Sequence, residues 1–209
     1  VSVSCLYCPV IMIELYYDLH LHSALSPCGD EDMTPNNIAN MAALKGLQVI
    51  SLTDHNSAGN CRALAEVCKD LGLLFVPGME WNTAEEVHVL CYFPTVEQAE
   101  AMSLFVADTL PKIKNRTDIF GPQYYMDQED RVIKEEPFLL TTASSIDIFQ
   151  AQAVCDRFGG VAVPAHVDRD SYSLFANLAF LTPDMHFGAL EISLAGNEEK
   201  LKKEHAEIG

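Results

Sequence analysis

Short apolar runs of strand length alternate with helix-length stripes along most of this chain, and side chains able to hold a metal collect where the runs stop. Glu14–Leu19 reads as a strand ending in Asp18-Leu19-His20-Leu21-His22. Thr34-Pro35 supplies a cap and a first-turn proline, and Ile38, Met41 and Ala42 give a helical stripe that Gly46 stops. Leu47–Thr53 is the next strand. Cys61, Leu64, Ala65, Cys68 and Leu71 follow at helical spacing as far as Gly72. Leu73–Pro77 and Val87–Phe93 read as further strands, and Thr95 with Gln98 opens a helix running towards Leu110. A helix over about 146–158, strands at Val161–Ala165 and Ala189–Ser193, and a charged helix over Asn197–His205 complete the series. Strand-then-helix order implies right-handed crossovers and a mainly parallel sheet, so the expected class is α/β: an α/β barrel first, an open sheet second.

The 209 residues suit one domain, with an irregular insert over about 111–137 expected to be mobile or to form a cover. At 49% hydrophobic and 21% charged, the chain can bury a core. Thirteen Lys and Arg against thirty Asp and Glu leave a formal charge of −17. That charge argues against wrapping a long polyanion, whose nonspecific affinity rests on many basic contacts to phosphate. A small phosphorylated substrate is still compatible, because bound cations reverse the local field. The tyrosines show no interleaving with basic residues, so no extended platform for single strands is expected. No apolar run reaches the ~20 residues of a membrane helix, and the opening stretch lacks the basic flank of a signal peptide. The expectation is a soluble, cytoplasmic protein. Seven scattered cysteines suit reduced, mostly buried thiols, and Cys5-x-x-Cys8 has no second pair to complete a zinc knuckle.

The placement of histidine carries the functional reading. His20 and His22 close the first strand, Asp54-His55 the second, Glu80 lies just past the third, His88 lies within an apolar strand and His166 ends another. Only His186 and His205 fall outside this set. In a barrel, such positions converge at the C-terminal mouth. Two histidines two residues apart on extended backbone point the same way and can grip one cation. Imidazole with carboxylate suits Zn, Mn or Fe, and a carboxylate such as Glu80 can bridge two ions. Water held between such ions becomes a nucleophile near neutral pH. Singly, each histidine is more simply a hydrogen-bonded core residue; jointly they indicate a polynuclear metal centre.

At these residues the sequence resembles the PHP (polymerase and histidinol phosphatase) family, metal-dependent phosphoesterases on a distorted (β/α)7 barrel. Asp18-Leu19-His20-Leu21-His22-Ser23 is similar to its first motif and Thr53-Asp54-His55-Asn56 to its second. Gly78-Met79-Glu80 matches its Gly-x-Glu, and Pro164-Ala165-His166-Val167-Asp168-Arg169 its third motif. The resemblance implies two or three divalent ions: one on His20, His22 and Glu80, a second on Glu80, His88 and His166, a third on Asp30 and His55. Asp30 is the best match for the family's acidic loop ligand, with Asp32 the rival. Asp54 would orient a ligand or close its turn. Arg169 would clamp phosphate or else form a surface salt bridge, and Glu191 with Ser193 would line the mouth or serve packing. One departure stands out: the family's closing Asp-x-His is absent, which implies a chain cut short of that strand or the loss of a metal-binding pair.

The implied reaction is hydrolysis of a small phosphomonoester, such as a nucleoside bisphosphate, a short RNA end or histidinol phosphate, by metal-bound hydroxide. Two other classes stay open: hydrolysis of C–N bonds at the same metals, and a noncatalytic module that binds metal or nucleotide and regulates a partner.

Overall fold

Val49–Leu52 is buried along almost its whole length, the pattern of a strand covered on both faces. In the computed structural model, which describes residues 14–193 and 195–205, this strand is β2, lying between β1 (Tyr17–Leu21) and β3 (Leu74–Asn82) and parallel to both. Next come β4 (His88–Tyr92) and β7 (Val161–Pro164), giving a sheet in the order β1-β2-β3-β4-β7. Helices α1 (Pro35–Leu44), α2 (Cys61–Leu71) and α3 (Val96–Ala107) follow β1, β2 and β4. Their ends obey the local chemistry. Thr34 and Thr95 accept from the amides of Asn37 and Gln98, and Gly72 leaves α2 in the left-handed region at φ 71°.

Alternation sorts the faces of the sheet. Met79 and Trp81 of β3 and Val89 and Cys91 of β4 pack into the core with Ile38, Leu64, Met102 and Val106 of the three helices. Each fully buried side chain of this size contributes roughly 1.5–3 kcal/mol. The intervening residues, Glu80 on β3 and His88 on β4, face the other way, towards the concave side.

Three expectations need correction. The third strand runs on past Pro77 to Asn82 and turns straight back through residues 83–87, so β3 and β4 are antiparallel, as are β4 and β7. Pro77 is tolerated because it stands where that ladder ends, accepting its last bond from the Phe93 amide. The sheet is therefore mixed rather than mainly parallel. Among the described residues its strands also do not close into a full ring. Ala189–Ser193 forms no strand: Glu191 accepts from the Val167 amide and donates to the Pro164 carbonyl, but its own carboxylate takes the His166 amide and breaks the ladder.

The insert has structure of its own, with α4 (Thr117–Phe120) and a hairpin of β5 (Tyr124–Met126) and β6 (Val132–Glu135). It is pinned to the side of the fold. Asn60 bonds to Tyr124 and Met126, the Asn56 amide group donates to the carbonyls of Leu140 and Thr142, and Asp130 caps α1 through Thr34 and Asn36. It contributes nothing to the lining of the metal-side cavity. The chain continues through α5 (Ala151–Arg157), β7, α6 (Leu174–Leu178) and α7 (Glu198–Glu204).

The two edges of the sheet approach each other. Tyr92 on β4 donates its hydroxyl to the carbonyl of Leu19 on β1, and Glu191, lying beside β7, meets His20 on β1. This curl makes the concave side a cavity.

Candidate metal centre

Glu80 is 1% exposed, and five histidines reach its carboxylate. His88 Nδ1 at 3.0 Å, His20 Nε2 at 3.2 Å and His166 Nε2 at 3.2 Å surround Oε1, while His55 Nδ1 at 3.1 Å and His22 Nε2 at 3.3 Å flank Oε2. The rings close a circuit around it, with neighbouring centroids 5.2 Å (His20–His22), 4.7 Å (His22–His55), 5.0 Å (His55–His88), 5.5 Å (His88–His166) and 5.8 Å (His166–His20) apart.

Strand register explains the convergence. His20 and His22 share a face by the period of two. Glu80 pairs with Leu90, so His88, two residues before Leu90, lies diagonally beside it on the same face. The β2–β3 register continues beyond β2 as a bridge from His55 to Glu80, held by Glu80 N–H to Asp54 O and Asn56 N–H to Glu80 O. His166 follows β7 with φ 31°, a left-handed backbone that a bulky residue adopts only where its surroundings impose it.

The outer nitrogens show what the inner ones can do. Ser26 has one hydroxyl proton and donates it to Asp54 at 2.7 Å, so it accepts from His22 Nδ1 at 3.0 Å. His22 therefore carries a proton on Nδ1 and turns Nε2 to Glu80. His20 likewise donates Nδ1–H to Glu191 at 2.9 Å and presents Nε2. With no metal bound, a second proton on each ring bridges Nε2 to Glu80 at 3.2 and 3.3 Å; once that proton leaves, lone pairs face lone pairs and a cation between them takes its place. Furthermore, His166 Nδ1 is buried without a hydrogen-bond partner among the described residues, and His55 Nδ1 stands 3.1 Å from Glu80 Oε2 without the alignment of a hydrogen bond. The donor set thus fits divalent ions.

Charge follows the same geometry. Burial opposes a proton on His20, but Glu191 and Glu80 outweigh it and hold its pKa up at about 9. For His22, burial is again opposed, by Cys28 and Glu80, giving about 10. His55 goes down to about 3 through burial, against the pull of Glu80 and with the repulsion of neighbouring rings. Burial would raise Glu80, yet its histidines drive it well below the usual carboxylate range.

Around this cluster lies a cavity of about 1210 Å³, whose lining includes Asp18, Tyr92, Arg169, Tyr172 and Glu191. Residues 18–207 match the PHP domain. The chain belongs to the PHP domain family. An uncharacterized protein of Methanocaldococcus jannaschii is 29% identical over 103 residues, covering 46% of this chain and 53% of that one. This chain thus spans about half the length of that relative. The phosphoribosyl 1,2-cyclic phosphate 1,2-diphosphodiesterase of Eggerthella lenta is 24% identical over 206 residues, with 77% of this chain and 78% of the relative covered. Among solved structures, a protein of Bifidobacterium adolescentis proposed to be a metal-dependent phosphoesterase superposes with TM-score 0.58 at 17% identity, covering 85% of this chain and 77% of that one. The lesion-specific endonuclease Q of Pyrococcus furiosus gives 0.61 at 21% identity, over 88% of this chain and 43% of its own.

Within this PHP domain the structure brings together His20, His22, His55, Glu80, His88 and His166, leaves Asp30 apart, and gives Asp54, Glu191 and Arg169 definite surroundings. Asp30 is exposed, and its carboxylate accepts from the Asp32 amide at 2.9 Å in a local turn, away from the cluster. Asp54 does not line the cavity. It is 1% exposed and accepts from Ser23 N–H, Ser23 Oγ and Ser26 Oγ, so it orients His22 through Ser26 rather than meeting substrate. Burial raises its pKa, with His22 and the two serines pulling the other way. Glu191 lines the mouth, yet both its oxygens are engaged by His20 and the His166 amide, making it a positioning group as well. Arg169 is exposed at the cavity and makes no ion pair among the described residues, so the salt-bridge alternative is not realised there.

The donor groups also divide differently. His20, His22 and Glu80 form one set as expected, His55 joins Glu80 and His88 in a second, and a third consists of His22, Cys28 and His55. Cys28 escaped the sequence reading because a lone cysteine in a Pro-Cys-Gly turn gives no spacing signal. Its only mark is that it follows His22 by six residues, inside the loop that ought to hold a ligand. Tyr172, stacked on His88 at 4.9 Å, gave no signal either. Cys5 and Cys8 lie outside the described residues. Of the other cysteines, Cys61, Cys68, Cys91 and Cys155 are free and buried as expected, and Cys28 is exposed. No helix among the described residues is long and apolar enough to cross a membrane.

Proposed function

We propose that this chain is a metal-dependent phosphoesterase that hydrolyses a small phosphomonoester at the Glu80 cluster. The observation that carries the reading is the ring of five histidines around one buried carboxylate, opening on a cavity that holds an unpaired arginine among the described residues. Divalent ions held by His20, His22, His55, Glu80, His88 and His166 would polarise a phosphoryl oxygen and supply water of lowered pKa. Zn, Mn and Fe all suit this shell.

The chain's own groups do the rest. Ser26 and Glu191 fix the tautomers of His22 and His20 so that Nε2 of each points inward. Arg169 meets a phosphate oxygen with its planar fork and holds the ester over the cluster. Tyr172 covers the face of His88 and keeps water off it. The curled sheet, with Glu191 bridging to β1, supports the distorted barrel of the family as the closed form of this architecture. A formal charge of −17 favours a small substrate, a nucleotide or a short RNA end at most, over a long nucleic acid. The relative from E. lenta, named for its action on a cyclic phosphate, favours a second reading in which the substrate is a cyclic phosphodiester.

The test is phosphate release by the full-length protein purified without chelator and supplied with Mn. The panel holds a nucleoside 3′,5′-bisphosphate, histidinol phosphate, a 5′-phosphorylated RNA and a ribose cyclic phosphate. Opening the cyclic ester releases no phosphate, so that arm is read by chromatography. Turnover that EDTA and Glu80→Gln each abolish, in a folded protein, is the expected result. Arg169→Ala should raise KM while metal content stays the same. Normal turnover by folded Glu80→Gln would refute the site. Metals bound without turnover of any ester would move the reading to C–N hydrolysis or a regulatory module.

A further inference from the structure

The loop between β1 and α1 carries a thiol into the cluster. The donor atoms of Cys28, His22 and His55 all lie within 4.8 Å of one another. His55 is 6% exposed, and its Nδ1, 3.1 Å from Glu80 Oε2, makes no aligned hydrogen bond among the described residues. A cation shared with its neighbours would satisfy this buried polar atom. The turn holding Cys28 is built for the position: Ser26 N–H donates to Ser23 O, Gly29 N–H to Ser26 O, and Asp54 anchors both serines. Asp30, two residues on, points its carboxylate into its own turn.

We propose that Cys28, as a thiolate, is a metal ligand of this centre and forms with His22 and His55 a nitrogen–sulfur site. The inference rests on the metal-dependent reading above. The thiol proton leaves to solvent as the metal–sulfur bond forms, so no further reactant is needed. Sulfur is a softer donor than the carboxylate expected here, so this position prefers zinc to manganese, whereas the positions on Glu80 accept either. Because Cys28 is exposed, it is also open to thiol reagents whenever its ion is removed.

Cobalt(II) loading of the full-length protein tests this without any activity measurement. Wild type should show a sulfur-to-cobalt charge-transfer band in the near ultraviolet. Cys28→Ser should lose that band and up to about one metal equivalent, the ion on Nε2 of His22, and keep the ion held by Glu80 and His88. Asp30→Asn and the Cys5→Ser/Cys8→Ser pair should keep both. In addition, iodoacetamide should label Cys28 in chelator-treated protein and be blocked from it after loading, as read by peptide mass. An unchanged band in Cys28→Ser, or loss of the band in the Cys5/Cys8 variant, would overturn the assignment. So would loss of an ion in Asp30→Asn. Bound cobalt with no thiolate band overturns Cys28 alone and leaves the phosphoesterase reading standing. Failure to bind any metal overturns both.

Discussion

Glu80 concentrates the chemistry of this protein in one side chain, because two carboxylate oxygens serve five imidazoles. Before metal is added, protons hold the charge balance. His20 and His22 keep theirs up to about 9 and 10, above the ordinary histidine value of 6.5. A group whose pKa is raised by folding lends stability that is complete below its unfolded value and is lost as pH rises through the folded one. Chelator-treated protein should therefore lose thermal stability between about pH 6.5 and 10, as read by Tm against pH. Metal must displace the same protons, so loading at pH 7 should release acid, measurable as a buffer-dependent heat. Asp54→Asn tests the support beneath. Its amide would meet Ser23 and Ser26, which are both donating, and the lost acceptor should lower metal affinity about 10–100-fold with the fold retained, as measured by metal competition. At this scale the sequence was legible for every histidine of the cluster, since each closes or occupies an apolar run. Cys28 was not, because what it touches depends on how one loop folds.

Elements fix direction, and here loop and hairpin matter more than helices. The hairpin through 83–87 sets Glu80 and His88 diagonally across β3 and β4, a relation that chain spacing alone does not give. Pro77 and Gly78 mark a break to a reader of the sequence, yet the strand passes through them. Gly78 is required there: a Cβ would stand 2.9 Å from Cys91 O and 3.0 Å from Ser51 Oγ. Gly29 is required for a related reason, since a Cβ would collide with the carbonyl oxygen of Ser23. Gly29→Ala should therefore shift the turn that carries Cys28 and destabilise the protein by about 1–3 kcal/mol, measured from the denaturant midpoint. The helices were readable because caps and stops are local: Thr34, Thr95 and Gly72 act on their own neighbours. Ala189–Ser193 has the composition of a strand and fails to become one, because Glu191 spends its carboxylate on the amide that a ladder would use.

Over the whole molecule, closure of the cavity depends on contacts between distant parts of the chain. Glu191 joins His20, 171 residues earlier, and His166, on opposite edges of the same sheet. Gln at this position has one acceptor oxygen where the carboxylate has two. Glu191→Gln should leave secondary structure unchanged by circular dichroism and weaken metal binding about 10–100-fold. Unchanged affinity would mean that the edges are held by packing alone. The insert, by contrast, is fastened to the outside through Asn56, Asn60 and Asp130, so its removal should disturb stability before it disturbs the site.

Periodicity, capping residues and the types of side chain at strand ends are properties of short stretches, and these by themselves determined an α/β fold with histidines and a carboxylate at positions fit to hold metal. Tertiary structure decided what depends on two stretches at once. It set the antiparallel return of β4 and β7, the open sheet edge, and the shared use of Glu80. It also withdrew Asp30 from the cluster and admitted Cys28. Short-range signals are enforced by backbone sterics and burial within one element, whereas these outcomes turn on which donor reaches a lone pair first across space.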